Sequence, residues 1–569
     1  MRRIILGLLM MASFVLHAQE KYFKEPLKIP IQLTGTFAEL RVNHFHSGID
    51  IRTEGRTGLP VYPAAVGYIS RIVVSPTGFG HALYIDHPNG MTTLYGHLER
   101  FAEPVDSFVK SLQYQKKSFS IDVTIPPGQF LVSPKQIIAY SGDTGNSGGP
   151  HLHFEIRDTQ TQEPLNPLDF NLNIKDNIRP DIKSLKIFPL NNRSQVDYSR
   201  KPDSYEVILY DGKYHLKNNP VIPVYGNIGF GVQVNDYLNG TWNKCGINYL
   251  QLKIDGEEYF SFKLDSFSYA DTRYINSLID YAGFIKNNRR YYKTWKDPGN
   301  QLNIYKINKN NGSFDATDNR DHEVEITVKD SYGNSSQLTF TIKSAFKELP
   351  PEEDKGVKIF YYNRANYFKA GGITLSCPKG AFYTDFNFNY DVDYGKENPT
   401  LYSVIHIVSD PSIPIQQPLK LSIKPDGLPE RLADKALLVT VNKKTGKESA
   451  AGGNYNDGYV TANITSFGNF AVAVDTVPPD ITPLSIRNWK ELVDKNRIRF
   501  IIKDNLSGIK SFTGTIDGKW VLFEYDPKRS LLFYVFDDKR LEMNKTHTLR
   551  LEVTDSENNP ATYEASFFR

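Results

Sequence analysis

The run His151-Leu-His-Phe-Glu-Ile156 alternates polar and apolar side chains at a period of two, which marks a strand with one face in a core. On such a strand residues i and i+2 share a face, with Cα atoms roughly 6.5–7 Å apart. Leu152, Phe154 and Ile156 are expected to point inward, with His151 and His153 on the other face. A metal lies about 2.0–2.1 Å from an imidazole nitrogen that ligates it. If one ring of the pair is a ligand, its neighbour falls one shell further out and meets a bound water or substrate atom. One ligand and one acid–base group is therefore the expected division.

Seven of the twelve histidines fall between His44 and His153. Within that stretch stand His46-Ser-Gly-Ile-Asp50 and Leu94-Tyr-Gly-His97-Leu98. His46 and Asp50, added to one histidine of the strand pair, make three ligands with a fourth position open. That inventory suits a hydrolytic centre, whereas closed structural sites use four protein ligands, usually rich in cysteine. The chain has only Cys245 and Cys377, and neither lies in this region.

These motifs resemble the lysostaphin-type, or LytM-like, zinc metallopeptidases of family M23, which cut peptide bonds in peptidoglycan. The likeness runs through His46–Ile51, Gly58-Leu-Pro-Val-Tyr-Pro-Ala64, Leu94–Leu98 and Gly142-Asp-Thr-Gly-Asn-Ser-Gly-Gly-Pro-His-Leu-His-Phe-Glu155. It covers about a quarter of the chain. The resemblance implies that His46, Asp50 and His153 hold Zn2+, and that His97 and His151 are the catalytic histidines. It implies an antiparallel β-sheet peptidase domain over residues 19–171. The segment at about 102–125 looks like an insertion, expected to rim or cover the substrate groove.

Other residues nearby have plainer readings. His44 mimics a ligand, but the pattern needs only His46. His87 follows the apolar run Ala82–Ile85 and is expected to hydrogen-bond at a strand end. The glycine-rich loop Gly142–Gly149 lacks a P-loop lysine and leads into a strand. A tight turn beside the metal is the better account.

Arg2-Arg3, the apolar run Ile4–Leu16 and His17-Ala18 form a Sec-type secretory signal over residues 1–18, with cleavage expected after Ala18. No later segment has the ~20 apolar residues that span a bilayer. The expected location is the periplasm or extracellular envelope. A formal charge of +3 without a basic block argues against a nucleic-acid partner. Cys245 and Cys377 fall in different expected modules, so pairing between them is not favoured.

Beyond Phe170 a repeat appears. Asp176-Asn-Ile-Arg-Pro-Asp-Ile182 matches Asp475-Thr-Val-Pro-Pro-Asp-Ile481, and Asp-x-Leu-x-Gly occurs at Asp236–Gly240 and Asp504–Gly508. Ile-Asp-Gly follows at Ile254–Gly256 and Ile516–Gly518, and each copy closes on an aspartate turn, Asp330 with Asn334 and Asp555 with Asn559. Short strands between Asp, Gly and Asn turns suit immunoglobulin-like β-sandwiches. The expected fold is mainly β, with the peptidase domain followed by sandwiches over 172–345, 346–474 and 475–569. The first copy carries a Tyr- and Asn-rich insertion, Tyr269–Asn311, and Pro350–Lys355 is a linker. The turn aspartates can be read as calcium ligands, although turns bonding their own backbone are the simpler account.

The sequence thus points to an exported zinc endopeptidase acting on peptidoglycan peptides, with rear modules that space it or engage envelope proteins. Two alternatives stand beside it. One is a catalytically silent envelope scaffold or amidase activator that uses the groove for binding, and the other is a peptidase with a protein target.

Overall fold

The computed structural model describes residues 21–351, 358–394 and 400–569. The targeting segment at 1–18 and most of the linker at 350–355 lie outside the described residues. The protein is mainly β. No helix among the described residues is long and apolar enough to cross a membrane.

The first sheet positions the site. Its main strands are β1 (Leu33–Gly35), β2 (Ile49–Arg52), β3 (Gly67–Val74), β4 (His81–Asp86), β5 (Met91–Phe101), β6 (Ile121–Thr124) and β7 (His151–Asp158). They lie in the order β1-β2-β7-β5-β4-β3-β6, every pairing antiparallel. Leu152, Phe154 and Ile156 are fully buried beneath the sheet with Ile49, Ile51 and Tyr95, as the alternation requires. The polar face of β7 is buried as well: His153 and Glu155 are 3% and 0% exposed. A sheet face with ionisable groups is closed off only where something covers it, and here the cover comes from the second module.

The segment at 102–125 departs from its expected role. It forms helix α1 (Val105–Lys116), which buries Val105, Val109 and Gln113 on one stripe, and then β6 on the sheet edge. None of its residues lines the cleft over His46, Asp50 and His153. Instead α1 faces the last module. Lys110 pairs with Asp537 at 2.9 Å, Tyr114 packs edge-on against Trp520, and the Arg540 guanidinium lies 3.7 Å above the Tyr114 ring. A half-exposed helix face carrying lysine and tyrosine was thus a docking face within the chain.

In the second module the strand Val221–Asn235 serves both layers. Its first residues run parallel to Ser335–Ser344, and its later residues run antiparallel to Asp181–Pro189. The layers are therefore hydrogen-bonded to each other around one core. Residues from 358 to 474 form two five-stranded sheets and a two-stranded one, and residues 480–568 form a four- and a five-stranded sheet. Cys245 and Cys377 are free thiols buried in separate cores.

The Tyr114 contacts are worth about 1–2 kcal/mol together, from one edge-on aromatic pair and one cation–π contact. Tyr114→Ala is therefore expected to loosen the last module from the first sheet. Limited proteolysis around residue 475 should accelerate about 5–30-fold; an unchanged rate would show that the contact contributes nothing.

Candidate active site

The register of β7 assembles the site. His153 lies opposite Asp50 of β2 on one side and Gly96 of β5 on the other. His97 follows Gly96 with φ +58°, at an irregularity in the β4–β5 pairing. A non-glycine residue in the left-handed region is uncommon, and such a bulge re-aims a side chain out of the regular alternation. His46 arrives on the turn ahead of β2, held by backbone bonds from Ala38 N to His46 O and from His46 N to Glu39 O.

Three donor atoms converge. His46 Nε2 is 3.0 Å from Asp50 Oδ1 and 3.2 Å from His153 Nδ1, and His153 Nδ1 is 2.9 Å from Asp50 Oδ1. All three residues are buried, and each offers one ligand atom to a common point. His151 Nε2 lies 3.4 Å from the same Asp50 oxygen. The His97 ring is 4.8 Å from that of His151 and 5.8 Å from that of His153, centre to centre. The structure thus brings together all five residues singled out from the sequence.

The outer partners of these rings decide which nitrogens face inward. A carbonyl oxygen only accepts, so the ring nitrogen facing it carries the hydrogen. His46 Nδ1 donates to Thr36 O, His97 Nδ1 to Thr144 O and His151 Nδ1 to Gly149 O, each at 2.8 Å. His153 Nε2 donates to the Glu155 carboxylate at 2.8 Å. In the neutral rings this leaves lone pairs on His46 Nε2 and His153 Nδ1, pointing at an anionic oxygen. Such a group repels itself unless a cation or a proton lies among its members, so two imidazoles and a carboxylate fit a divalent metal.

Charges around the group are arranged in layers. Burial opposes ionisation of Asp50, but the charge and hydrogen bonds of His46, His151 and His153 hold it well below the usual carboxylate range. Arg41 Nη2 reaches its other oxygen at 3.2 Å. Burial would lower His153, yet the Asp50 and Glu155 carboxylates raise it to about 9. A proton can therefore take the metal's place in the metal-free protein. Burial pushes Glu155 up, but Arg157 and His153 bring it down to about 2. Burial, helped by the neighbouring His153 and His151 charges, lowers His97 to about 3.

Two loops and two further modules complete the cleft. Gly145, at φ +68°, lies so close to the Gly78–Gly80 loop that an added Cβ would sit 2.3 Å from Gly80 N. The Gly142–Gly149 turn therefore packs flat against it and delivers the carbonyls that orient His97 and His151. Asp143 in this turn accepts from Lys528 and Arg529 of the last module, the latter at 2.6 Å. On the opposite side Tyr269 and Thr272 line a cleft of about 280 Å3 together with His46, Phe79, His97 and His151. Tyr269 donates to Glu155 at 3.0 Å, and Arg157 donates to the Tyr269 hydroxyl at 2.6 Å. Thr272 Oγ1 accepts from Phe45 N.

Sequence reasoning missed several of these contributors. Glu155 had a signal, since it stands two residues past His153 on the same strand face. Ser47, which donates to Glu155 at 2.6 Å, and Phe79, stacked 5.0 Å from His153, had none. Nor did Tyr269, which lies 114 residues from its carboxylate partner. The insertion that reaches the groove is thus Tyr269–Asn311 of the second module, while the one at 102–125 does not. His44 bonds the Val42 carbonyl on the cleft wall, outside the donor group. His87 bridges Val66 O and Thr93 Oγ1.

Residues 44–114 match the model described as peptidase family M23, and residues 357–475 match that of a Zu5-like domain. Over 127 residues the chain is 32% identical to the DD-carboxypeptidase/endopeptidase Mpg of Neisseria meningitidis, a match covering 22% of this chain and 23% of that protein. An uncharacterized metalloprotease of Haemophilus influenzae is 30% identical over the same length, 22% of this chain and 21% of that protein. The chain thus spans less than a quarter of the length of these curated relatives. Among solved structures, a zinc-containing peptidase from Vibrio cholerae is 28% identical over 26% of this chain and 39% of that one, with a TM-score of 0.19. The catalytic domain of lysostaphin from Staphylococcus simulans is 21% identical over 25% and 91%, also with a TM-score of 0.19.

The donor group and the sequence likenesses define a metallopeptidase-type domain in the first part of the chain. That part of the chain is similar to peptidases of family M23, whose model it matches over residues 44–114.

Two outcomes follow from the site's electrostatics. Glu155→Gln removes the anionic acceptor behind His153 and should weaken metal affinity about 10–100-fold, measured by competition with a chelator. Unchanged affinity would remove Glu155 from the site's support. Because His153 is raised to about 9 in the metal-free state, binding at neutral pH must displace its proton. Calorimetry in buffers of different ionisation enthalpy should find about one proton released at pH 7, falling toward zero above pH 9.

Proposed function

We propose that this chain is an exported, zinc-dependent endopeptidase that hydrolyses peptide bonds in peptidoglycan stems or cross-links. The observation that carries the reading is the arrangement of four histidines, each with its outer nitrogen anchored. Three of them direct the inner nitrogen toward Asp50 Oδ1, and the fourth, His97, is packed 4.8 Å from the His151 ring. In this reading His46, Asp50 and His153 hold the zinc. Bound there, zinc would polarise the scissile carbonyl and acidify water.

The remaining work falls to the chain's own groups. Burial disfavours charge on His97, so its Nε2 stays unprotonated near neutral pH and offers a lone pair that accepts a hydrogen bond from the attacking water and orients it. His151 Nε2, 3.4 Å from Asp50 Oδ1, stands where a proton is passed to or from the reacting atoms. Glu155, Ser47 and Tyr269 fix the His153 ring from behind and keep water away from its outer nitrogen. The peptide substrate lies in the cleft between Phe79 and the Tyr269–Thr272 turn, so the second module takes part in choosing it. The names of the Neisseria relatives favour a wall peptide over a protein target, and in this reading the secretory-signal pattern at residues 1–18 directs the enzyme to the compartment of that wall.

The test is digestion of isolated peptidoglycan by the zinc-loaded chain, with released fragments identified by mass spectrometry. New peptide ends are expected. His97→Ala and His151→Ala should each lower the rate about 10²–10⁴-fold while keeping zinc, whereas His46→Ala should lose the zinc. No new ends from the zinc-loaded chain would overturn the wall-peptidase reading in favour of a binding role.

A further inference from the structure

Two more groups of carboxylates converge elsewhere, one in each copy of the internal repeat. Asp176, Asp236 and Asp330 form the first, and Asp475, Asp504 and Asp555 the second; in each group one oxygen per residue lies within 4.8 Å of the others. The members come from corresponding places: the segment leading into the module, the Asp-x-Leu-x-Gly loop and the closing aspartate turn.

Turn chemistry accounts for only part of this. Asp330 Oδ1 accepts from Tyr332 N and Asn334 N, and its Oδ2 from Asn334 Nδ2. Asp555 is held the same way by Asn559. By contrast, Asp236 Oδ1 and Asp176 Oδ2 in the first group, and Asp504 Oδ1 in the second, are buried without a hydrogen-bond partner. Asp236 is 3% exposed. A buried, unpaired carboxylate oxygen is costly, and bringing two further carboxylates beside it adds repulsion. The same arrangement stands twice in one chain. No salt bridge joins any of the three residues of the first group to a lysine or arginine among the described residues.

Three converging carboxylates with an unpartnered oxygen among them suit a cation, and the donors narrow its class. All are carboxylate oxygens, which suit a hard ion over one that prefers nitrogen or sulfur. Calcium bonds oxygen at about 2.3–2.6 Å in flexible coordination, whereas magnesium demands a tighter octahedron at about 2.0–2.1 Å. Carboxylate oxygens gathered from three separate segments suit the ion that tolerates irregular, flexible coordination.

We propose that calcium binds at Asp176, Asp236 and Asp330, and at the counterpart Asp475, Asp504 and Asp555. Each ion would tie the lead-in segment of a module to that module's end. Asn334 Nδ2 and Asn559 Nδ2 already reach the Asp176 and Asp475 carbonyls. The first site also adjoins the peptidase domain, because Leu238, Cys245 and Tyr332 pack into its core. Calcium there would stiffen the joint that holds Tyr269 over the cleft.

The experiment is a calcium chloride titration of the full chain, with zinc already bound, followed by calorimetry and thermal melting. Two ions per chain are expected, with dissociation constants on the order of 10⁻⁴–10⁻³ M, as for extracellular modules, and a melting temperature that rises with calcium. Asp236→Asn and Asp504→Asn keep the side-chain shape and should each leave one ion, and the double variant none. No saturable binding by the unmodified chain up to roughly 10 mM calcium would overturn the proposal. Two ions retained by the double variant would overturn it equally, and loss confined to Asp236→Asn would remove the second site.

Discussion

A buried imidazole wedged between two buried carboxylates is the interaction on which the rest of the molecule depends. His153 meets Asp50 through one nitrogen and Glu155 through the other. Neither carboxylate could stay ionised at that depth alone, since burial favours their neutral forms. Each is kept charged by neighbours: Asp50 by the three histidines and Arg41, Glu155 by Arg157, Ser47 and Tyr269. Those neighbours sit on β7, the segment ahead of β2 and the second module. The fold of two modules is thus organised around one histidine ring.

That arrangement explains why a peptidase sheet carries so much protein behind it. The polar face of β7 must be dry for its charge pairs to be strong, and a single sheet leaves that face open to water. Tyr269 closes it and contributes a hydroxyl to the Glu155–Arg157 pair. From the other end Lys528 and Arg529 grip Asp143, one residue before the Thr144 carbonyl that orients His97. Residues far apart in the chain therefore meet around one turn. A cleft bounded by two modules is narrower in what it admits than the sheet alone, because every wall contact adds a demand on the substrate.

The joints between modules matter for the same reason. A side chain on a separate module orients a catalytic group only as well as the connection between them is held. Here the connection after the first sheet runs along Asn166 to Asp176, with Asn166 Nδ2 bonded to Ser331 and the Asp176 carbonyl bonded to Asn334. Apolar residues of the second module enter the peptidase core beside it. The same construction recurs where Asp475 leads into the last module.

Local chemistry was legible in the residues themselves. The period-two run at His151–Ile156 specified a strand with Leu152, Phe154 and Ile156 inward, because alternation on a strand leaves no other face for them. The His46, Asp50, His97, His151 and His153 group could be listed from spacing and family likeness, and the Asp-x-Leu-x-Gly repeat announced its turns. What tertiary structure alone decided were contacts between residues with no local relation. Tyr269 meets Glu155 across 114 positions, and Lys110 meets Asp537 through a helix whose exposed face said nothing about its partner. Hence the role at the groove expected of 102–125 falls to Tyr269 and Thr272 of the later insertion, while 102–125 docks the last module. Pattern along a chain encodes which face of an element is buried, whereas the partner that buries it is set by how the modules pack in three dimensions.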